Sequence, residues 1–198
     1  MRRRASSTLL GAVTVVLASV GVGCAATITE VGSRTAASEP PAVADAAFAM
    51  FVADGGFAAL PRAEVLLGGT NDVDAGLRVA AVVADTPDAR ARGLMGLTAL
   101  PGGVGMLFAF PDATGPGRPG FWMLDTLVPL DIAFAADGVV VGLATMEPCT
   151  AAPCPVTHPG VDYDVALEVA AGGLDAAGIG MGDRFAWRVE GGPSGHVR

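Results

Sequence analysis

From Leu77 to Val189 the chain reads as short apolar runs separated by Pro and Gly. Leu77 to Ala84 is apolar and Val-rich, which predicts a strand. Thr86-Pro87-Asp88 then carries a helix start. The Thr hydroxyl caps, Pro suits the first helical position, and Asp88 favours the positive helix end and pairs with Arg92 four residues on. The predicted helix runs to about Met95 with Gly96 as its stop, and Ala89, Gly93 and Leu94 face inward. After the Pro101-Gly102-Gly103 turn, Val104 to Phe110 is a strand with Met106, Phe108 and Phe110 on one face. Pro111 to Gly120 is a loop, and Phe121 to Asp125 and Pro129 to Ala135 are strands. Asp137-Gly138 is a hairpin turn, returned by Val139 to Met146. Glu147 to Gly160 is a loop. Asp164 to Ala170 alternates Val165, Leu167 and Val169 against Ala166 and Glu168, the pattern of a half-buried strand. A turn-rich stretch with one helical turn at Leu174 to Ala177 precedes a last strand, Asp183 to Val189. About seven strands with one early helix predict a mainly β single domain, a compact sandwich or jelly roll, or a barrel.

The first residues have a different pattern. Arg2, Arg3 and Arg4 precede an apolar run from Leu9 to Val22 that is short for a membrane span and suits a signal segment. Small residues then lead into Cys24, as in a lipoprotein box in which that Cys carries the lipid, although the place three before it is Gly21 rather than a larger aliphatic residue. A secretory signal without lipid is the alternative, and an uncleaved anchor a third. Every version puts the remainder outside the cytoplasm. The expected organisation is a signal segment over 1–23, a tether over 24–70 with a short helix at Val43 to Val52, a β-domain over 71–190 and a loose tail over 191–198.

Charge narrows the function classes. Lys is absent and all twelve basic residues are Arg, against twenty acids. Without residues 1–23, nine Arg face those twenty acids, a net charge of −11. Such a domain lacks the clustered positive charge that phosphate backbones require, so no nucleic-acid partner is expected. No Gly-x-Ser-x-Gly, phosphate loop, His-Glu-x-x-His or dinucleotide fingerprint occurs, and no cofactor is expected.

Several runs occur in a fixed order: Arg90-x-Arg-Gly-Leu-Met95, Gly105-Met-Leu-Phe-x-Phe110, Phe121-Trp-Met-x-Asp-Thr126, Pro129-Leu-Asp-Ile-x-Phe134, Pro148-Cys149 to Cys154-Pro155, Leu167-Glu168 and Gly182-Asp183. Over about residues 77–189 the chain thereby resembles domain-of-unknown-function family 192, small bacterial and archaeal proteins that are often secreted or lipid-anchored. The resemblance implies a mostly β, jelly-roll-like domain and carries no biochemical activity. The family often has Lys-Asn where this chain has Leu124-Asp125, and Glu near Ala81. A function needing those charges is in doubt here.

Candidate chemistry rests on few residues. Cys149 and Cys154 flank a short loop, and outside the cytoplasm a disulfide stabilising by about 2–3 kcal/mol is the natural reading. A metal pair or redox couple is the alternative. Asp125, Asp131 and Glu168 are acids embedded in apolar sequence and need partners if buried. Arg90 and Arg92 are the expected ones, forming either a structural Arg–carboxylate network or a polar ligand pocket. Acid–base catalysis would need two of the acids across an open cleft. Trp122, on the face opposite Phe121 and Met123, suits a partly exposed apolar site or ordinary packing. Met95, Met106, Met123, Met146 and Met181 are expected in the core rather than as a copper site with His158. The leading expectation is a membrane-tethered, non-catalytic domain binding a small molecule, glycan or envelope protein. A carboxylate-dependent, glycan-directed hydrolase and a metallochaperone are the alternatives.

Overall fold

The structure is a computed structural model, and it describes residues 41–69, 72–110 and 120–191. Side chains of 41–44, 69 and 72–75 are not part of that description. The signal segment with Cys24, most of the tether, the loop over 111–119 and the tail beyond residue 191 lie outside it. The described residues belong to one compact unit, which begins at Ser38.

In chain order the elements are α1 (Pro41–Asp54), β1 (Arg62–Gly69), β2 (Asp72–Ala84), α2 (Pro87–Arg92), β3 (Val104–Ala109), β4 (Phe121–Trp122), β5 (Leu130–Ala136), β6 (Val139–Met146), β7 (Val156–Thr157), β8 (Val165–Ala170), α3 (Gly173–Ala176) and β9 (Arg184–Val189). Seven strands close into a barrel in the order β1-β2-β3-β8-β5-β6-β9, and β4 and β7 form a separate ribbon. All neighbours are antiparallel except β2 and β3. That parallel pair needs a crossover, and α2 lies in it. The closing seam is short: β6 meets β9 at Val139 and Arg184, helped by Val140 N–H donating to Asp183 O at 2.8 Å.

Local chemistry explains the elements. Thr86 caps α2 by accepting from the Ala89 N–H at 3.2 Å, and Pro87 opens the helix. The helix stops at Gly93, at φ 50° and ψ −137°, a conformation that a Cβ disfavours. The stop therefore comes three residues before the expected Gly96. Asp137 and Gly138, at φ 50° and 77°, make the tight turn between β5 and β6.

Two apolar clusters share the strands. One takes residues from all seven barrel strands, including Val65, Val79, Leu107, Ala133, Val140, Leu167 and Phe185, and fills the lumen. The other combines Val82, Met106, Phe108, Ile132, Phe134 and Ala166 with Phe48, Phe51 and Val52 of α1, and with Leu94, Phe121 and Tyr163. It covers the outer face of β2, β3, β8 and β5. On the opposite side of the barrel, Glu64 of β1 forms ion pairs with Arg78 of β2 and Arg188 of β9.

Two expectations change. The boundary near residue 70 falls between paired barrel strands, since Arg62 to Leu67 lie opposite Val82 to Leu77. β1 and α1 thus belong to the domain rather than to a tether. β8 is not half-buried: Val165 to Val169 are all buried, because one face fills the lumen and the other lies under the cover.

Candidate functional site

The covered face is not filled completely. A cavity of about 540 Å³ opens between the barrel wall, the α2 segment and the β4–β7 ribbon. Its wall is mostly apolar: Leu94, Phe108, Phe110, Phe121, Trp122 and Val156. Phe121 packs edge-on against Phe108 at 4.9 Å and Phe134 at 5.5 Å between centroids, so the aromatic wall is continuous with the core. Trp122 stands at the rim, 51% exposed, opposite Val156 on the ribbon.

Glu168 lies on the floor of this cavity. Its β8 position sets it beside Met106 of β3 and Ile132 of β5. It is 4% exposed, and among the described residues its carboxyl has no hydrogen-bond or ion-pair partner. Burial alone pushes its pKa up to about 8, so the group holds its proton at neutral pH. Thr126 is a second buried polar residue in the lining, also without a described side-chain partner.

The rim is tied together by backbone. Thr126 and Leu124 bridge to Cys149, and the Asp125 N–H donates to Cys149 O at 2.8 Å. Cys149 is disulfide-bonded to Cys154, with Cα atoms 5.9 Å apart. That bond braces the loop that delivers β7. Gly96 N–H donates to Asp125 O at 2.8 Å, joining the α2 segment to the same turn. A Cβ at Gly120 would sit about 2.5 Å from the His158 ring and a Val156 methyl, so glycine lets both side chains stand close to the ribbon.

The sequence candidates separate sharply. Arg90, Arg92, Trp122 and Glu168 line the cavity. The arginines do not pair with the acids, which corrects the expected network. Arg90 donates to Asp85 O at 2.7 Å and Ala109 O at 2.9 Å and lies over the Phe110 ring. Arg92 donates to Gly55 O at 2.5 Å and Gly56 O at 3.4 Å and lies over Phe57. Both pin the α2 segment to carbonyls at the ends of neighbouring elements: Asp85 after β2, Ala109 at the end of β3, and Gly55 and Gly56 after α1. Asp125 is exposed in a turn at φ 55°, a conformation that Asp and Asn tolerate. Asp131 faces the lumen, where it accepts from Thr145 Oγ1 at 2.7 Å and from Leu174 N–H at 3.2 Å. It thereby caps α3 from across the barrel end. Asp131 and Glu168 lie on opposite faces of neighbouring strands, so they do not form the paired carboxylates of a glycosidase. Met106, Met123 and Met146 are buried in the covered core, whereas Met181 is exposed in the turn before β9. They do not form a thioether cluster. Thr126 is not singled out by sequence reasoning, although it closes the Phe-Trp-Met-x-Asp-Thr run.

The molecule is therefore a small closed β-barrel with a one-sided cover and a cavity beneath it. The chain belongs to domain-of-unknown-function family 192, described as an uncharacterized ACR, whose model matches residues 70–187. It is similar to a crystal structure of a protein of unknown function from Novosphingobium aromaticivorans DSM 12444, at 30% identity and a TM-score of 0.52, over 66% of this chain and 88% of that one. It is also similar to a proposed transcription regulator of Sinorhizobium meliloti 1021, at 25% identity and a TM-score of 0.52, over 64% and 93% of the two chains. A comparison with curated proteins finds no match. The runs that carry the family resemblance supply much of the cavity lining: Arg90 to Met95, Phe108 and Phe110, Phe121, Trp122 and Thr126, and Glu168.

Proposed function

We propose that this chain is a binding module of the cell envelope, held to the membrane by lipid on Cys24, which seats a small molecule in the cavity above Glu168. The observation that carries the reading is a buried carboxyl without a described partner on the floor of an aromatic-walled cavity. A fold under selection for stability alone gains nothing from such a group, whose burial is costly until something bonds it. The volume lies within the range of small-molecule sites, which pair an apolar wall with a few polar groups. The narrow apolar wall favours a small molecule over a glycan or a protein partner. The Arg-rich start, the apolar run and Cys24 support the envelope location. No described helix is long and apolar enough to cross a membrane. Among the described lining residues Glu168 is the single carboxyl, which favours binding over hydrolysis.

The test titrates the purified domain with small aromatic fragments, indole, benzamide, benzylamine and benzoate, and follows Trp122 emission in a Trp187→Phe background. A saturable change, lost in Glu168→Leu, is expected for at least one fragment. No change with any of them at millimolar concentration would refute the pocket. The tether is tested by expressing the full chain with Cys24→Ser, which should move it from the membrane to the soluble extracytoplasmic fraction. An unchanged distribution would refute lipid anchoring.

A further inference from the structure

We propose that the ligand is an uncharged molecule with an apolar or aromatic body and one oxygen acceptor, a carbonyl or a hydroxyl, which bonds the buried Glu168 carboxyl, with the Thr126 hydroxyl as the second polar contact. This rests on the pocket reading above and names its ligand class.

The polar groups of the cavity decide the class. Glu168 sits among Met106, Ile132 and Phe108 with no described partner, so as a neutral acid it has one O–H to give. Thr126 adds a hydroxyl that can donate or accept. An ammonium group would have to enter past Arg90 and Arg92, whose positive charge lines the same cavity. It would also have to lose its hydration shell in an apolar site. A carboxylate is poorly served as well, because the described bonds of both guanidinium groups run to backbone carbonyls and their planes lie against Phe110 and Phe57. An anion reaching the floor would therefore meet a carboxyl rather than a cation. An uncharged acceptor carries neither cost and satisfies the donor that Glu168 offers on the floor of the cavity.

The surrounding titratable groups do not alter this. On α2 the charged groups are the exposed Asp88 together with Arg90 and Arg92. The turn after β4 carries the exposed Asp125, and α1 carries the exposed Asp45 and Asp54. On β5 the acid is Asp131, which faces the lumen. His158 lies beside Gly120 at the exposed rim, and Tyr163 packs against Phe134 and Phe110. None of their described bonds reaches Glu168, whose raised pKa has burial as its cause.

The experiment is calorimetric titration of the full soluble domain with benzamide, benzylamine and benzoate, three probes that share a ring and differ in charge, from pH 5.5 to 9.5. Benzamide is expected to bind most tightly, with an affinity that is flat up to about pH 8 and then falls about tenfold per pH unit as Glu168 ionises. Glu168→Gln, which keeps an N–H donor, should hold benzamide within about threefold and remove the pH dependence, whereas Glu168→Leu should lose about tenfold. Tightest binding of benzylamine, strengthening as pH rises and lost in Glu168→Gln, would overturn the ligand class in favour of a cation while leaving the pocket standing. Preference for benzoate would overturn it in favour of an anion. Absence of binding by all three would overturn the class and the pocket together. If a variant fails to fold, the pH profile of the wild-type protein decides alone.

Discussion

Asp131 and Glu168 sit on adjacent strands, one register step apart, and each is 4% exposed. By burial alone they are alike. By environment they are opposites. Asp131 points into the lumen and is bonded by a hydroxyl of β6 and the first turn of α3. Glu168 points outward under the cover and faces the cavity without a described bond. A barrel strand gives each of its faces to a different interior, and the two interiors here serve different ends. The lumen uses its buried acid to hold an end of the barrel together. The covered face leaves its buried acid without a partner among the described residues, and that contrast is the ground of the proposed site.

The largest expected effect tests the unsatisfied acid. With a folded pKa of about 8 against an ordinary 4.5, Glu168 is protonated in both states below pH 4.5, so its contribution is fully present there. Between the two values only the unfolded chain releases the proton, so stability falls as pH rises. Above about pH 8 both states are ionised and the loss is complete, at most on the order of 5 kcal/mol. Urea midpoints of wild type and Glu168→Gln from pH 4 to 9.5 should diverge across this window, with the variant more stable at the alkaline end. Parallel curves would make the two acids alike and break the comparison.

Next in size is the bonded acid. Asp131→Ala leaves the Leu174 N–H and the Thr145 hydroxyl without their acceptor inside the barrel end, a loss of about 3 kcal/mol. Amide exchange should report it first over α3. A variant as stable as wild type would show that the lumen acid is as dispensable to the fold as its neighbour. Arg90→Ala should cost about 1–2 kcal/mol through two backbone acceptors and a ring contact, measured by urea unfolding. A loss confined to ligand affinity would instead give Arg90 to the site.

Some of this contrast is legible in the sequence. Period-two alternation and turn chemistry are local, so Asp137-Gly138, the Thr86 cap and the face shared by Met106 and Phe108 can be read directly. The mainly β class follows from them, and closure into a barrel agrees with it. What cannot be read is what lies against each face. Glu168 alternates with Leu167 and Val169 like any solvent-side residue, and only the cover built by α1, the α2 segment and β4 turns that side into an interior. The same limit misdirects the arginines. Charge suggests carboxylate partners, but the groups most in need of donors are carbonyls at strand and helix ends, which no side-chain pattern displays. β1 escapes the sequence reading because its Gly-rich end reads as a loop, and its pairing with β9 spans nearly the whole domain.

The smallest effect on the fold is the sharpest test of the site. Trp122 is half exposed, on a ribbon two residues long, and its ring rests on the cavity rim rather than in the core. Trp122→Ala should therefore change the unfolding free energy, read from urea denaturation, by less than about 0.5 kcal/mol, as expected for a surface substitution. A residue kept only for packing would lose stability and affinity together. A residue kept for a ligand loses affinity alone, and calorimetry should show benzamide binding weakened several-fold at an unchanged midpoint. Set beside Asp131→Ala, which should loosen the barrel end without touching the cavity, the pair separates the face that holds the protein together from the face proposed to hold a ligand.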